Sequence, residues 1–145
     1  MSLDKVSVIT VCFRAEDVIE RTILSVVGQD YPSIEYIVVD GGSKDGTVDM
    51  VKKYASNISR RIGEPDTGVY DPMNKGIEMA TGDWIIFLNA GDYFHSNDVI
   101  SRFTKEIKED TTIAYGLIHY FTTEQEFDME YIPIEKMSFL DPIPH

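Results

Sequence analysis

Ile34-Glu35-Tyr36-Ile37-Val38-Val39-Asp40 is a short run rich in β-branched residues that ends on an acid and empties into Gly41-Gly42-Ser43-Lys44-Asp45-Gly46. The composition predicts a strand over Ile34 to Val39, closed by a glycine-rich turn. Upstream, Val6-Ser7-Val8-Ile9-Thr10-Val11 alternates apolar and small polar residues and then runs on toward Phe13, a second strand pattern. Between the two, Ile19, Ile23, Val26 and Val27 fall at i, i+4, i+7 and i+8, one stripe of a helix from about Ala15 to Gly28. Tyr31-Pro32 blocks its continuation. A helix of that length between two strands makes a right-handed crossover, which sets the strands side by side and parallel.

The same alternation continues downstream. Val48, Val51 and Ala55 mark a second helix, and Arg60 to Gly63 a short strand. Asp71-Pro72 is a helix start, with Asp71 as the cap and Pro72 in the first turn; Met73, Ile77 and Ala80 form its inner face and Gly82 its end. Trp84 to Leu88 is expected as the central strand, buried on both faces. Ser96 is placed to cap a helix whose inner face is Val99, Ile100, Phe103 and Ile107, and Thr111 to Tyr120 reads as a further strand. The remainder is expected to be irregular. The resulting fold class is α/β: an open, mostly parallel sheet with helices on both faces. Ligands of such sheets bind beyond the carboxyl ends of the strands, so Val11, Cys12, Phe13, Asp40, Asn89 and Asp92 are expected to converge on one rim.

Composition narrows the function classes. The chain has 145 residues, 43% hydrophobic and 26% charged, which suits one soluble domain. Twenty-five acids against 13 basic residues give a formal net charge of −12. That argues against nucleic acid and against adhesion to an anionic membrane. No apolar run approaches the ~20 residues of a membrane span, and Met1 to Lys5 does not read as a signal peptide. Cys12 is the only cysteine, so no intrachain disulfide forms and a cytoplasmic setting is expected.

Several residues have side chains suited to chemistry. Asp40, at a strand end before two glycines, either accepts hydrogen bonds from a ribose or base, or folds its own turn through the N–H groups of Gly42 or Ser43. The turn after the first strand, Cys12-Phe13-Arg14-Ala15-Glu16, lacks glycine and excludes a dinucleotide-binding fingerprint. Gly41 to Thr47 is not a phosphate-binding P-loop, because Asp45 follows Lys44. Lys75 follows a polar loop, Asp66 to Asn74, and is either a phosphate contact or a solvated helix residue. Ile85-Ile86-Phe87-Leu88-Asn89-Ala90-Gly91-Asp92 ends on one carboxylate, and Asp92 is the best candidate for a hard divalent cation. His95 and His119 have no partner at zinc spacing, and no activated serine is identifiable. Glu124, Glu126, Asp128 and Glu130 read as a solvated acidic stretch.

Taken together, these segments resemble the family 2 inverting glycosyltransferases of the A-type nucleotide-sugar-binding fold. Val6 to Phe13 is similar to the family's opening V-S-I-I-T-V-T-Y-N strand, and Ser25 to Pro32 to its S-V-x-x-Q-x-Y-P helix end. Glu35 to Thr47 resembles E-x-I-V-V-D-G-x-S-x-D-G-T. Asn74 to Gly76, Ala80, Gly82 to Trp84 and Phe87 to Asp92 resemble N-x-G…A-x-G-D-x-I-x-F-L-D-A-D-D. The match covers about the first hundred residues.

The resemblance implies transfer of a sugar, with inversion, from a nucleotide-sugar donor to a hydroxyl acceptor in polysaccharide or glycoconjugate synthesis. It implies donor contacts at Val11, Cys12, Phe13, Glu16, Asp40, Lys75, Asn89 and Ala90, and an Mg²⁺ or Mn²⁺ ion on Asp92. Cys12, Phe13 and Arg14 replace the usual Thr, Tyr and Asn, and Asn89 and Gly91 leave Asp92 as the motif's only carboxylate. Weaker metal affinity than that of a two-Asp site is expected. The general base of the family comes from an acid well beyond the metal motif, and none here matches it. Residues 1–145 are therefore expected to be the nucleotide-sugar-binding domain without the C-terminal acceptor half. The alternatives are a non-catalytic nucleotide-binding module and a sugar-phosphate nucleotidyltransferase.

Overall fold

The computed structural model describes residues 3–63, 71–107, 118–121 and 126–129. The chain forms two compact units, residues 1–106 and 107–145. In the first, four parallel strands, β1 (Val6–Cys12), β2 (Ile34–Asp40), β3 (Arg60–Gly63) and β4 (Trp84–Phe87), lie in the order β3-β2-β1-β4. They alternate with α1 (Ile19–Val27), α2 (Thr47–Lys53), α3 (Asp71–Met79) and α4 (Val99–Glu106). In the second unit, β5 (Ile118–Phe121) pairs antiparallel with β6 (Glu126–Met129). The α/β class and the parallel β1–β2 pair agree with the sequence reading. No helix among the described residues is long and apolar enough to cross a membrane.

The period-2 alternation of β1 and β2 divides the core into two layers. Val6, Val8 and Cys12 of β1, with Tyr36 and Val38 of β2, face Ile19, Ile23 and Val26 of α1, Val51 of α2 and Ile100 of α4. Ile9 of β1, with Ile37 and Val39 of β2, forms the opposite layer, which Met79 and Ala80 cover. Helices thus cover both faces, and β1 and β2, flanked on both sides, are almost wholly buried.

Three elements depart from expectation. The segment Trp84 to Leu88 is not central: among the described residues β4 is an edge strand and β1 takes the middle. Its exposure alternates accordingly, with Ile85 and Phe87 41% and 37% exposed on the α3 side while Trp84, Ile86 and Leu88 pack on the α1 layer. An unbroken apolar run cannot distinguish a strand covered on two faces from one covered on one. The inner face of α3 also differs, because Ile77 is exposed and Gly76 is buried. A Cβ on Gly76 would stand 2.6 Å from Ile9 Cγ2, so the missing side chain is what lets α3 lie close on the sheet. Finally, residues 126–129 pair as a strand rather than running irregularly, since pairing requires only a partner and not an apolar face.

Boundaries shift as well. The first helix begins at Ile19 rather than Ala15, after a turn in which Ala15 C=O accepts from the Val18 and Ile19 N–H groups. The second ends at Lys53; Ala55 opens a short 3₁₀ turn and is exposed, while Met50 and Tyr54 pack against the core instead. Ser96 donates to the Asp98 carboxylate (2.6 Å) rather than capping α4 itself. Gly82 does not end α3 but donates its N–H to Ser7 Oγ (2.9 Å) at the start of β1. The expected strand over Thr111 to Tyr120 lies outside the described residues up to Leu117, as do Glu124 and Glu130 of the acidic stretch.

The start of β1 is held by a buried polar network. Glu35, 6% exposed, accepts from Ser7 Oγ, from the Thr81 N–H and from Thr81 Oγ1, each at 2.8 Å, and faces Lys5 Nζ at 3.5 Å. Burial alone would raise its pKa. The Thr81 and Ser7 hydrogen bonds and the Lys5 charge outweigh burial and hold the carboxyl at about 2. This network closes the amino edge of the sheet, the end opposite the expected ligand rim.

Candidate functional site

Parallel pairing brings the expected residues to one edge. Cys12 lies opposite Asp40 in the β1–β2 register, and the Gly41 N–H donates to Cys12 C=O (2.9 Å). On the other side of β1, the Leu88 N–H donates to Ile9 C=O (2.9 Å) and the Ala90 N–H to Val11 C=O (3.1 Å), so pairing continues beyond β4. Val11, Cys12, Asp40, Asn89 and Ala90 therefore share the carboxyl edge, with Phe13 exposed just beyond it.

Asp40 is 4% exposed and closes its own turn. Its Oδ2 accepts from the N–H groups of Gly42 (3.0 Å) and Ser43 (2.8 Å), and its Oδ1 from Ser43 Oγ (2.5 Å). Of the two sequence readings, the turn-folding one describes this geometry, and it fixes the carboxylate at the rim. Cys12 Sγ lies 3.7 Å from Asp40 Oδ1 and from Val39 C=O. Burial, reinforced by the Asp40 charge, pushes the thiol up to about 12, so Cys12 is a neutral packing residue at neutral pH.

Glu16 faces the turn before α2. Its Oε2 accepts from the Gly46 N–H (2.7 Å), and Asp45 Oδ1 accepts from Thr47 N–H (3.1 Å) and Oγ1 (2.6 Å). The Ala15 N–H in turn donates to Thr47 Oγ1 (2.8 Å). These bonds knit the loop after β1 to the start of α2. Hydrogen bonding by Thr47 lowers the pKa of the half-buried Asp45 carboxyl.

The Asn89–Asp92 turn is anchored by residues that the sequence reading did not single out individually. Thr22, fully buried on α1, accepts from the Gly91 N–H (2.9 Å) and donates to Asp92 C=O (2.7 Å). Gly91 has φ +101°, a conformation that a side chain at this position would strain. Ser25 Oγ accepts from the Phe94 N–H (3.1 Å), Gln29 Nε2 donates to Ser96 C=O (2.6 Å), and Gln29 Oε1 accepts from the Ile100 N–H (3.1 Å). Helix α1 thus aims the turn, and with Gln29 just beyond its end it tethers the segment from Phe94 to Ile100. Ser25 and Gln29 stand in the S-V-x-x-Q pattern, a signal available in sequence; a buried Thr beside an apolar stripe is a weaker one.

With its backbone held in this way, Asp92 leaves its side chain exposed, and its carboxylate makes no hydrogen bond or ion pair among the described residues. Nor do those residues gather three or more His, Cys, Asp or Glu groups as a preformed cation cage. One outward carboxylate suits Mg²⁺ or Mn²⁺, which take one or two carboxylates and complete their shell with water and substrate phosphates. Lys75 is half-buried on α3. The residues just after α3 reach the foot of β1, where Asp83 N–H bonds Lys5 C=O (2.7 Å), so the start of α3 points toward the rim. The Asp66–Tyr70 part of the preceding loop lies outside the described positions, as do the Asp71 side chain expected to cap α3 and the tail from Ile134 to His145.

Residues 7–141 match the model of glycosyl transferase family 2. A PGL/p-HBAD biosynthesis glycosyltransferase of Mycobacterium bovis is 33% identical over 121 residues, 80% of this chain and 47% of the relative. The glycosyltransferase YibD of Escherichia coli is 27% identical over 138 residues, 94% of this chain and 40% of that one. The chain thus spans less than half the length of these relatives. Among solved structures, S. aureus TarS residues 1–349 in complex with UDP-GlcNAc superimposes with a TM-score of 0.64 and 26% identity, covering 70% of this chain and 30% of TarS. The mannosyltransferase PcManGT of Pyrobaculum calidifontis, in complex with GDP-Man and Mn²⁺, gives 0.63 and 25%, covering 69% and 31%.

Proposed function

Because the chain belongs to glycosyl transferase family 2, we propose that it is the donor-binding portion of an enzyme that transfers a sugar, with inversion, from a nucleoside diphosphate sugar to a hydroxyl acceptor. The observation that carries the reading is the shared rim, where one strand sets Cys12 beside Asp40 and bonds Val11 to Ala90. On this reading the base lies against Val11 to Phe13 and Asp40, and the ribose lies beside Asn89 and Ala90. Lys75 contributes charge toward the phosphates, and Glu16 steadies the loop beneath them. Asp92 would hold the divalent cation. A bound cation offsets the charge that develops on the departing nucleoside diphosphate.

Several observations support this reading. Relatives of the same fold bind UDP-GlcNAc or GDP-Man, one of them with Mn²⁺. In a chain with net charge −12, a cation bridge favours acceptance of a diphosphate. Family membership favours sugar transfer over nucleotidyl transfer. The base that deprotonates the acceptor would belong to the half that the relatives have in addition, with synthesis of a polysaccharide or glycoconjugate in the cytoplasm as the setting.

Calorimetric titration of UDP and GDP, each with Mg²⁺ or Mn²⁺, tests the proposal. At least one pair should bind, and Asp92→Asn should weaken the metal-dependent part by more than about tenfold. If no nucleoside diphosphate binds with either ion, the proposal fails.

A further inference from the structure

Arg14 is the only non-glycine residue with left-handed backbone among the described residues, at φ +50°. Asparagine, usual here in the family, adopts that conformation readily, whereas arginine does so against its preference. Its surroundings enforce it. The Arg14 N–H donates to Ser43 Oγ (2.8 Å), which itself donates to Asp40 Oδ1 (2.5 Å), and the next residue is tied to Thr47.

The bend lays the guanidinium over the Phe13 ring, 5.1 Å from its centroid. Phe13 is 55% exposed and Arg14 is exposed as well. In a chain with 25 acids, the Arg14 guanidinium forms no ion pair among the described residues. A large apolar ring and an unpaired cation are thus held against each other in solvent by a strained backbone, directly beyond the strand end that carries Cys12 and faces Asp40. Residues held in such conformations cluster at ligand-binding sites.

We infer that Arg14, laid over the Phe13 ring, is an additional base-binding residue peculiar to this chain, its guanidinium plane stacking on the nucleobase of the donor. Flat, delocalised guanidinium and phenyl groups stack on the π-faces of bases whatever the base, and the guanidinium can also donate to a base carbonyl. The position favours the base over the phosphates. Arg14 is bonded to the β2 side of β1 through Ser43, whereas the Asp92 turn hangs from Ala90 and Thr22 on the β4 side. The inference rests on the donor-binding reading and deepens it.

The test compares wild type with Arg14→Asn, Arg14→Lys and Phe13→Leu, titrated with UDP, GDP and inorganic pyrophosphate in Mg²⁺. Arg14→Asn should weaken UDP and GDP by about tenfold, the worth of one base stack, and leave pyrophosphate unchanged. Its melting temperature should not fall, because Asn suits the backbone. Phe13→Leu should lose UDP and GDP affinity in the same way. Arg14→Lys keeps the charge but not the plane and should not restore affinity. The inference is overturned if Arg14→Asn binds UDP and GDP as wild type does, if it loses pyrophosphate by the same factor, or if Lys restores binding. Wild type binding no nucleoside diphosphate would remove the donor-binding reading and the inference together. Binding by wild type and Arg14→Asn alike would remove the inference alone.

Discussion

At the scale of single residues, the site is held by side chains that need not touch a ligand. Thr22 is the clearest case, since one buried hydroxyl accepts from Gly91 and donates to Asp92 across the bend that presents the carboxylate. Thr22→Val keeps the shape and strands both backbone groups, which should cost about 2 kcal/mol in urea denaturation. Thr22→Ser, which loses only a methyl, should cost less than about 1 kcal/mol. Equal losses from the two variants would mean that packing, not the hydroxyl, holds the turn. Residues of this kind are hard to find by reading a chain. Asp40 and Asp92 are legible because acids at strand ends are few, whereas Thr22 is one small polar residue on a helix whose stripe is defined by Ile19, Ile23 and Val26.

At the scale of elements, the amino edge of the sheet is fastened by charge. Glu35 joins β1, β2 and the turn before β4 through Ser7, Thr81 and Lys5. Its folded carboxyl titrates at about 2, below the ordinary 4.5. A depressed carboxyl contributes its stability in full above pH 4.5 and loses it as the pH falls from there toward 2. Melting temperatures of wild type should therefore drop more steeply than those of Glu35→Gln across that window, and parallel curves would refute the assignment. Sequence patterns located these elements well where hydrophobic spacing controls the outcome, as in β1, α1 and β2. They failed where contact distance controls it. Gly76 faces the sheet and Ile77 does not, because the closeness of α3 to Ile9 is a tertiary fact. Likewise, nothing in Trp84 to Leu88 tells whether a further strand lies on its far side.

At the scale of the molecule, the polar elements divide along the strand direction, with the Glu35 lock at one edge of the sheet and the acids Asp40 and Asp92 at the other. The net charge of −12 surrounds both. That field draws cations toward Asp92 and repels diphosphates, and salt screens both effects. Raising the ionic strength should weaken Mn²⁺ binding and strengthen UDP binding measured without metal, a pair of opposite slopes that titration at two salt concentrations would reveal. Slopes of the same sign would show that the whole-molecule field does not govern the site. The burial of Cys12 has a practical consequence. The chain's one thiol is 2% exposed and protonated throughout the range in which maleimides react. A cysteine introduced at any exposed position would be the sole target for a fluorophore or spin label, so the native chain already serves as its own silent background for distance spectroscopy.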